Sequence, residues 1–175
     1  MKEFTALMAN KKFNYNNGNM EKSMHKGNYK KFLLMLLLSF CIMYLVMFLN
    51  VDELSHIYLS LTRLYMSLLM VAPMAILMLA MMWKMYPNKK ANTTIILSSC
   101  MVFVLSLALL RTQTPIDDKQ YMKAMIPHHS SAIMTSKHAN IKDAEVKELS
   151  KKIIASQEQE IAQMKAILER LNTEK

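Results

Sequence analysis

Glycine is almost missing, with two residues in 175, and neither stands in a Walker or dinucleotide-binding pattern. That scarcity excludes the Gly-rich loops that cradle phosphates. Cysteine is equally rare. Cys41 and Cys100 both lie inside apolar runs and no C-x-x-C occurs, so the chain has neither a disulfide framework nor a zinc knuckle. Both cysteines read as small apolar residues inside a helical bundle. No Ser-His-Asp or Cys-His arrangement is recognisable and nothing marks an oxyanion hole, so no enzymatic activity is expected.

Acidic residues are also outnumbered, 13 against 22 lysines and arginines, for a net charge of +9. The location of the excess speaks against nucleic acid as a partner. Residues 1–31 hold seven lysines and two glutamates, whereas residues 112–175 hold ten basic and nine acidic residues. A nucleic-acid reader concentrates charge on its folded domain; a basic tail beside an apolar run reads as membrane topology.

What the chain does have is apolar length. More than half of its residues are hydrophobic, gathered into three long runs, which is a membrane protein by composition. Residues 1–31 read as a basic, disordered tail. The first run, residues 32–49, has one serine in eighteen residues. At ~1.5 Å per residue it covers nearly all of a ~30 Å hydrocarbon core. Asn50-Val51-Asp52 after it is no small-x-small cleavage site, so the run is a retained anchor. A second span covers residues 64–83, with Pro73 near its middle, where a kink is expected. A third, residues 94–110, is short and serine-containing and suits packing against the other two.

The flanking charges set an orientation. Lys22, Lys26, Lys30 and Lys31 precede the first span, and Lys84, Lys89 and Lys90 lie between the second and third. The 50–63 loop offers Asp52, Glu53 and Arg63, and Arg111 stands nearly alone after the third span. Lysine and arginine stay cytoplasmic, so the N-terminus is inside and residues 112–175 are outside. In a bacterial cytoplasmic membrane, outside means periplasmic. Met66, Met70, Met74, Met78 and Met82 recur every four residues along the second span. Such spacing drifts by ~40° per step, which favours methionine as packing filler over a thioether conduit. Glu53-x-x-His56 has the spacing of one di-iron ligand pair, but it stands alone in a loop, and His56 reads as a solvated loop histidine.

Beyond residue 112 the pattern turns amphipathic and helical. Asp117 and Asp118 favour a helix start, Asn140 a left-handed helix end, and Asp143 the cap of a second helix reaching about Leu171. The second helix carries a seam of Ile154, Gln157, Ile161, Met164, Leu168 and Leu171. A matching row on the first is Asp118, Met122, Met125, His129, Ala132 and Ser136. Facing seams and a short connection predict an antiparallel hairpin. The fold class is therefore all-α: a tail over 1–31, three transmembrane helices over 32–111, and an extracytoplasmic hairpin over 112–175.

The unusual stretch is Met125-Ile126-Pro127-His128-His129. Pro127 within the helix frees the carbonyl of Lys123. On an ideal helix His128 and His129 lie at about −60° and +40° from Met125. If the turn centres near residue 141, Met125 faces Gln157–Glu158 and His129 faces Ile153–Ile154. Met164 then lies at the level of Asp118–Met122. Thioether plus imidazole is the donor set of Cu(I), whereas zinc favours Cys and His, and di-iron sites favour carboxylates. The predicted ligands are Met125, His128, His129, Met122, Gln157, Glu160 and Met164, with copper as the expected ion and zinc as a second candidate.

Residues 117–168 resemble the bacterial domain-of-unknown-function 305 family. Its pattern has an aspartate, an aromatic residue and Met-x-x-His-His-x-x-Ala-Ile-x-Met, followed by Ala-x-Gln-x-x-Glu-Ile-x-x-Met. Here these are Asp117 or Asp118, Tyr121, Met125, His128, His129, Ala132, Ile133 and Met134, then Ala155, Gln157, Glu160, Ile161 and Met164. The resemblance implies a ferritin-like helical fold and, for some members, copper binding at the membrane or in the periplasm. It also adds Met134 as a candidate ligand, about 180° from Met125 on a straight helix and so suited to a partner chain. Many members carry two hairpins and this chain has one. A lone hairpin buries little, so a homodimer through the hairpin, or docking on the spans, is expected. The leading expectation is a membrane-anchored, extracytoplasmic copper-binding protein for tolerance or delivery. The alternative is a hairpin interaction module whose histidines are structural.

Overall fold

The structure, a computed structural model, describes residues 28–174, and every regular element among them is helical. Helix α1 covers Asn28–Val46, α2 Leu61–Met81 and α3 Lys89–Thr112, and each is long and apolar enough to cross a membrane. Helix α4 covers Asp118–His138 and α5 Ala144–Thr173. Two single turns of 3-10 helix, Leu54–His56 and Trp83–Met85, sit in the connections flanking α2. Most of the expected tail, residues 1–27, lies outside the described residues.

Local chemistry sets the ends. Ser60, Asn88, Asp117 and Asp143 each place a side-chain oxygen on a backbone N–H of the following first turn, which removes one of the donors a helix start leaves unpaired. Helix α3 ends with Gln113 in the left-handed region, at φ 52°. Several boundaries differ from the expectation by a few residues. Helix α1 is already formed at Asn28, the first described residue and four before the apolar run, and Tyr29 is held there: its hydroxyl donates to Asn92 Oδ1 at 2.7 Å, and Asn92 Nδ2 donates to the Tyr86 carbonyl at 2.8 Å. Helix α3 takes in Lys89 and Lys90 because Asn88 caps it. Asn140 is not left-handed; α4 ends at Ala139 in extended backbone.

Near this tyrosine cluster the spans pack through Phe32, Ala75, Leu79 and Tyr86, with Met78, Met82, Ile95 and Ile96 beside them. The buried positions of α2 and α3 are mostly small, among them Ala72, Ala75, Ser99 and Ser106. Small residues let apolar helices approach closely where no hydrophobic force separates helix from lipid. Large side chains such as Leu97, Met101 and Val104 point outward, as a lipid-facing surface requires. The methionine row of α2 is split: Met66 and Met70 are exposed, whereas Met78 and Met82 pack on the span core.

Helices α4 and α5 form an antiparallel hairpin around Ile126, Ile133, Ile161, Met164 and Leu168. The expected α5 seam is the observed one. The expected α4 row holds in part: His129 is buried and Met122 and Met125 pack on the core, but Asp118 is exposed and Ile126, Pro127, Ser130 and Ile133 are buried as well. Part of the reason is that α4 is covered on two sides, by α5 and by the segment between α1 and α2. Tyr58 of that segment packs on the hairpin core, the Asp52 N–H donates to Ser130 Oγ at 2.7 Å, and Asn50 Nδ2 donates to Ser131 Oγ at 2.8 Å. His56 is buried there, not solvated.

The register also differs. The Ser150 hydroxyl donates to the Ser136 carbonyl at 3.3 Å, and His129 meets Glu160 at 2.8 Å. The connection is therefore centred beyond residue 141. Asp143 bonds the N–H groups of Glu145 and Val146, which defers the start of α5. His129 consequently faces Glu160 rather than Ile153–Ile154, a displacement of about 10 Å along α5. The same displacement carries Met164 from the level of Asp118 to that of Met125.

Candidate metal centre

Pro127 lies inside α4, where its missing N–H leaves the Lys123 carbonyl without its helical donor. Two residues on, His129 turns its ring back along the helix, and Nδ1 lies 2.9 Å from the Met125 carbonyl oxygen. A carbonyl only accepts, so Nδ1 carries the proton and the ring orientation is set from its own helix. That backbone-anchored Nδ1–H is the support commonly seen behind an Nε2 that binds a metal. Nε2 points across the hairpin to Glu160 Oε2 at 2.8 Å, a contact that needs a proton between the two atoms, and a cation taken up at Nε2 replaces that proton. The other carboxylate oxygen accepts from Ser156 Oγ at 2.8 Å. The Ser156 hydroxyl first, and His129 second, hold the Glu160 carboxyl below the usual carboxylate range. Ser156 was not foreseen, although its i,i+4 relation to Glu160 is a legible helix pair.

Met125, four residues before His129, and Met164, four after Glu160, occupy the next turn of the seam. Met164 is 8% exposed within the hairpin core, and Met125 and Met122 are half-buried against it. His129 and Glu160 thus meet at one level of the hairpin, and Met125 and Met164 pack in the core one turn along it. The remaining predicted ligands are placed otherwise. His128 is exposed; its ring lies 6.0 Å from that of His129 in a T-shaped arrangement and, with Met125, lines a cavity where the hairpin meets the spans. The two histidines therefore do not converge, because consecutive helical residues point about 100° apart. Gln157 is half-buried on the seam, more than half a turn before Glu160. Met134 is half-buried on α4, about two and a half turns beyond Met125 and outside the group packed on the hairpin core.

Among the described residues, no three His, Cys, Asp or Glu side chains gather as a metal cluster. What the seam does gather is one imidazole, one carboxylate and two thioethers, a donor set for a soft cation.

A second polar group has catalytic-looking constituents. His56 Nδ1 lies 2.9 Å from Ser130 Oγ, and His56 Nε2 lies 3.6 Å from Glu53 Oε2. Ser130 is fully buried and its oxygen already accepts the Asp52 N–H. No substrate reaches it, so this serine clamps the loop to the hairpin. Burial first, then Lys165, pushes the His56 imidazole below its ordinary value, with Glu53 and Asp52 opposing.

Residues 98–168 match the family described as "Domain of unknown function (DUF305)". The match starts inside α3, so the family unit includes the second half of the third apolar helix along with the hairpin. The chain is also similar to the "Uncharacterized protein L153" of Acanthamoeba polyphaga mimivirus, at 39% identity over 145 residues, covering 81% of this chain and 93% of that protein. No solved structure matches the chain.

Proposed function

The chain belongs to the DUF305 family, and from that premise we propose that it is a membrane-anchored protein whose hairpin binds a soft cation, Cu(I), for tolerance or delivery. The observation that carries the reading is the His129 ring, with Nδ1 tied to its own helix and Nε2 presented to the α4–α5 seam, one turn along from the core methionines Met125 and Met164. Met125, His129 and Met164 would hold the ion. Glu160, which shares Nε2 in this structure, supplies negative charge beside the site. Thioether and imidazole donors favour Cu(I). Zinc would draw on His129 and Glu160, which have no third His, Cys, Asp or Glu beside them among the described residues.

The lysine-rich flanks support an N-terminus on the cytoplasmic side and a hairpin on the opposite side; in a bacterium that side is periplasmic. Of the two expected ways of completing the hairpin's burial, a second copy or docking on its own chain, the contacts of residues 50–58 with α4 favour docking.

The test is Cu(I) competition against a chromophoric chelator, using the full chain in detergent micelles. Met164→Leu keeps the core volume and removes the thioether, so it separates ligation from folding. Cu(I) affinity at least about tenfold weaker in Met164→Leu, and further reduced in His129→Ala, is the expected result; tenfold corresponds to ~1.4 kcal/mol. Equal Cu(I) affinity in the wild-type chain and both variants would overturn the metal reading. It would leave the alternative that the His129–Glu160 hydrogen bond favours: a hairpin interaction module in which this histidine holds α4 to α5.

A further inference from the structure

The cavity that His128 lines borders the metal seam at Met125, which lines it, and has the opposite electrostatic character. It measures about 440 Å³ and lies where the end of α1, the start of α2, the end of α3 and the middle of α4 meet. No aspartate or glutamate lines it. Its one full charge is Arg63, 8% exposed, whose guanidinium lies 4.5 Å from the centre of the Phe48 ring and donates to the Met47 carbonyl. A guanidinium has five N–H donors, and among the described residues this carbonyl is its one hydrogen-bonded acceptor. Beside it the Thr62 hydroxyl is buried without a hydrogen-bond partner. Both residues belong to the first turn of α2, whose positive dipole end adds to the same field. Such a wall repels a cation and leaves buried donors for an oxyanion.

Asn50, Gln113, Tyr121, His128 and Ser131 add neutral polar groups to the lining, and its apolar side lies toward α2. Met47 and Met66 form part of the wall, and Met66 and Met70, 41% and 42% exposed, carry an apolar surface one turn further along α2. Arg63 stands at the third position of a 21-residue span, the depth at which hydrocarbon gives way to headgroups. A buried arginine with spare donors, an unpartnered hydroxyl and an apolar exit at that depth match one class of molecule.

We propose that this cavity seats the phosphate of a membrane phospholipid. Arg63 is its charge partner, the Thr62 hydroxyl donates to it, and an acyl chain follows the Met66–Met70 face. The seated lipid would hold the hairpin against the spans. The site does not depend on the metal reading, and His128 belongs to it.

The test is native mass spectrometry of the full chain released from detergent, titrated with phosphatidylglycerol, with diacylglycerol of the same tails, and with inorganic phosphate. Phosphatidylglycerol should be retained and diacylglycerol lost. Losing a charge-assisted contact in Arg63→Gln should weaken retention by about tenfold or more, and Thr62→Val by about threefold. Arg63→Gln also breaks the bond to the Met47 carbonyl. If that variant does not fold, Arg63→Lys and Thr62→Val carry the test, since no hydrogen bond is lost with the Thr62 hydroxyl. Equal retention of diacylglycerol, or phosphatidylglycerol retention unchanged in Thr62→Val, would overturn the proposal. Inorganic phosphate held as tightly as the lipid would overturn the membrane source and leave a free-anion site.

Discussion

Ser130 shows how much of this molecule depends on single polar atoms. Its hydroxyl receives the Asp52 N–H, bonds the buried His56, and is fully enclosed between α4 and the loop that precedes α2. Replacing it with alanine leaves a buried donor unpaired, at a cost of ~1–3 kcal/mol. Ser130→Ala should therefore lower the denaturant midpoint of the hairpin and speed hydrogen exchange at the Asp52 amide. Unchanged protection at that amide would show that the contact contributes nothing. In the apolar seam the magnitude is larger. Ile126 and Ile133 are 0% and 1% exposed, and Ile126→Ala should cost ~2–5 kcal/mol through lost burial and a residual cavity. Chemical denaturation followed by far-ultraviolet circular dichroism measures it. At Glu160 the Ser156 hydroxyl shares the work of holding the carboxylate, so Ser156→Ala should raise the carboxyl pKa, read by carbon-13 NMR of the glutamate.

At the scale of elements, the segment from Asn50 to Ser60 couples membrane and hairpin. It carries one turn of 3-10 helix and reaches α4 through Ser130, Ser131 and Lys137, and α5 through Lys165. Charged groups surround its histidine from every side: Asp52 and Glu53 on its own segment, Lys137 on α4, and Lys165 and Glu158 on α5. Burial and Lys165 together lower the His56 pKa from its ordinary 6.5 despite the carboxylates. The unfolded or undocked segment thus binds a proton more readily than the docked one. Docking is fully stable above the ordinary histidine value and loses stability as pH falls through 6.5 toward the lowered value. The thermal midpoint of the wild-type chain should drop between pH ~7.5 and ~5.5 by more than that of His56→Gln. Parallel curves for the two proteins would remove His56 as the cause.

At the scale of the whole molecule, the hairpin is one face of a three-part junction. Excising residues 112–175 would remove Tyr58, Asp52 and His56 from α4 and expose Ile133 and Ser130 to water. A two-helix unit without that cover buries too little apolar surface for a cooperative fold. The excised hairpin should melt over a broader range and at lower temperature than the hairpin of the full chain. Limited proteolysis within α4 is the check, and equal resistance in both settings would show that the segment adds no stability.

Periodicity and composition alone determined the elements. Three apolar runs, the caps Asp117 and Asp143, and the seam Ile161, Met164 and Leu168 are all local patterns, because span length and helix amphipathicity are written in neighbouring residues. The helical hairpin and its family were legible for the same reason. Register and cover were not. The alignment of α5 on α4 depends on where a five-residue connection ends, and an error of a few residues there moved His129 about 10 Å along its partner. The pairing of His56 with Ser130 spans 74 residues, beyond any local periodicity. Tertiary structure therefore decided which residues share the site. His129 went to the seam with Glu160 and Met164, and His128 to a cavity beside Arg63, because adjacent positions on a helix buried on two sides serve different neighbours.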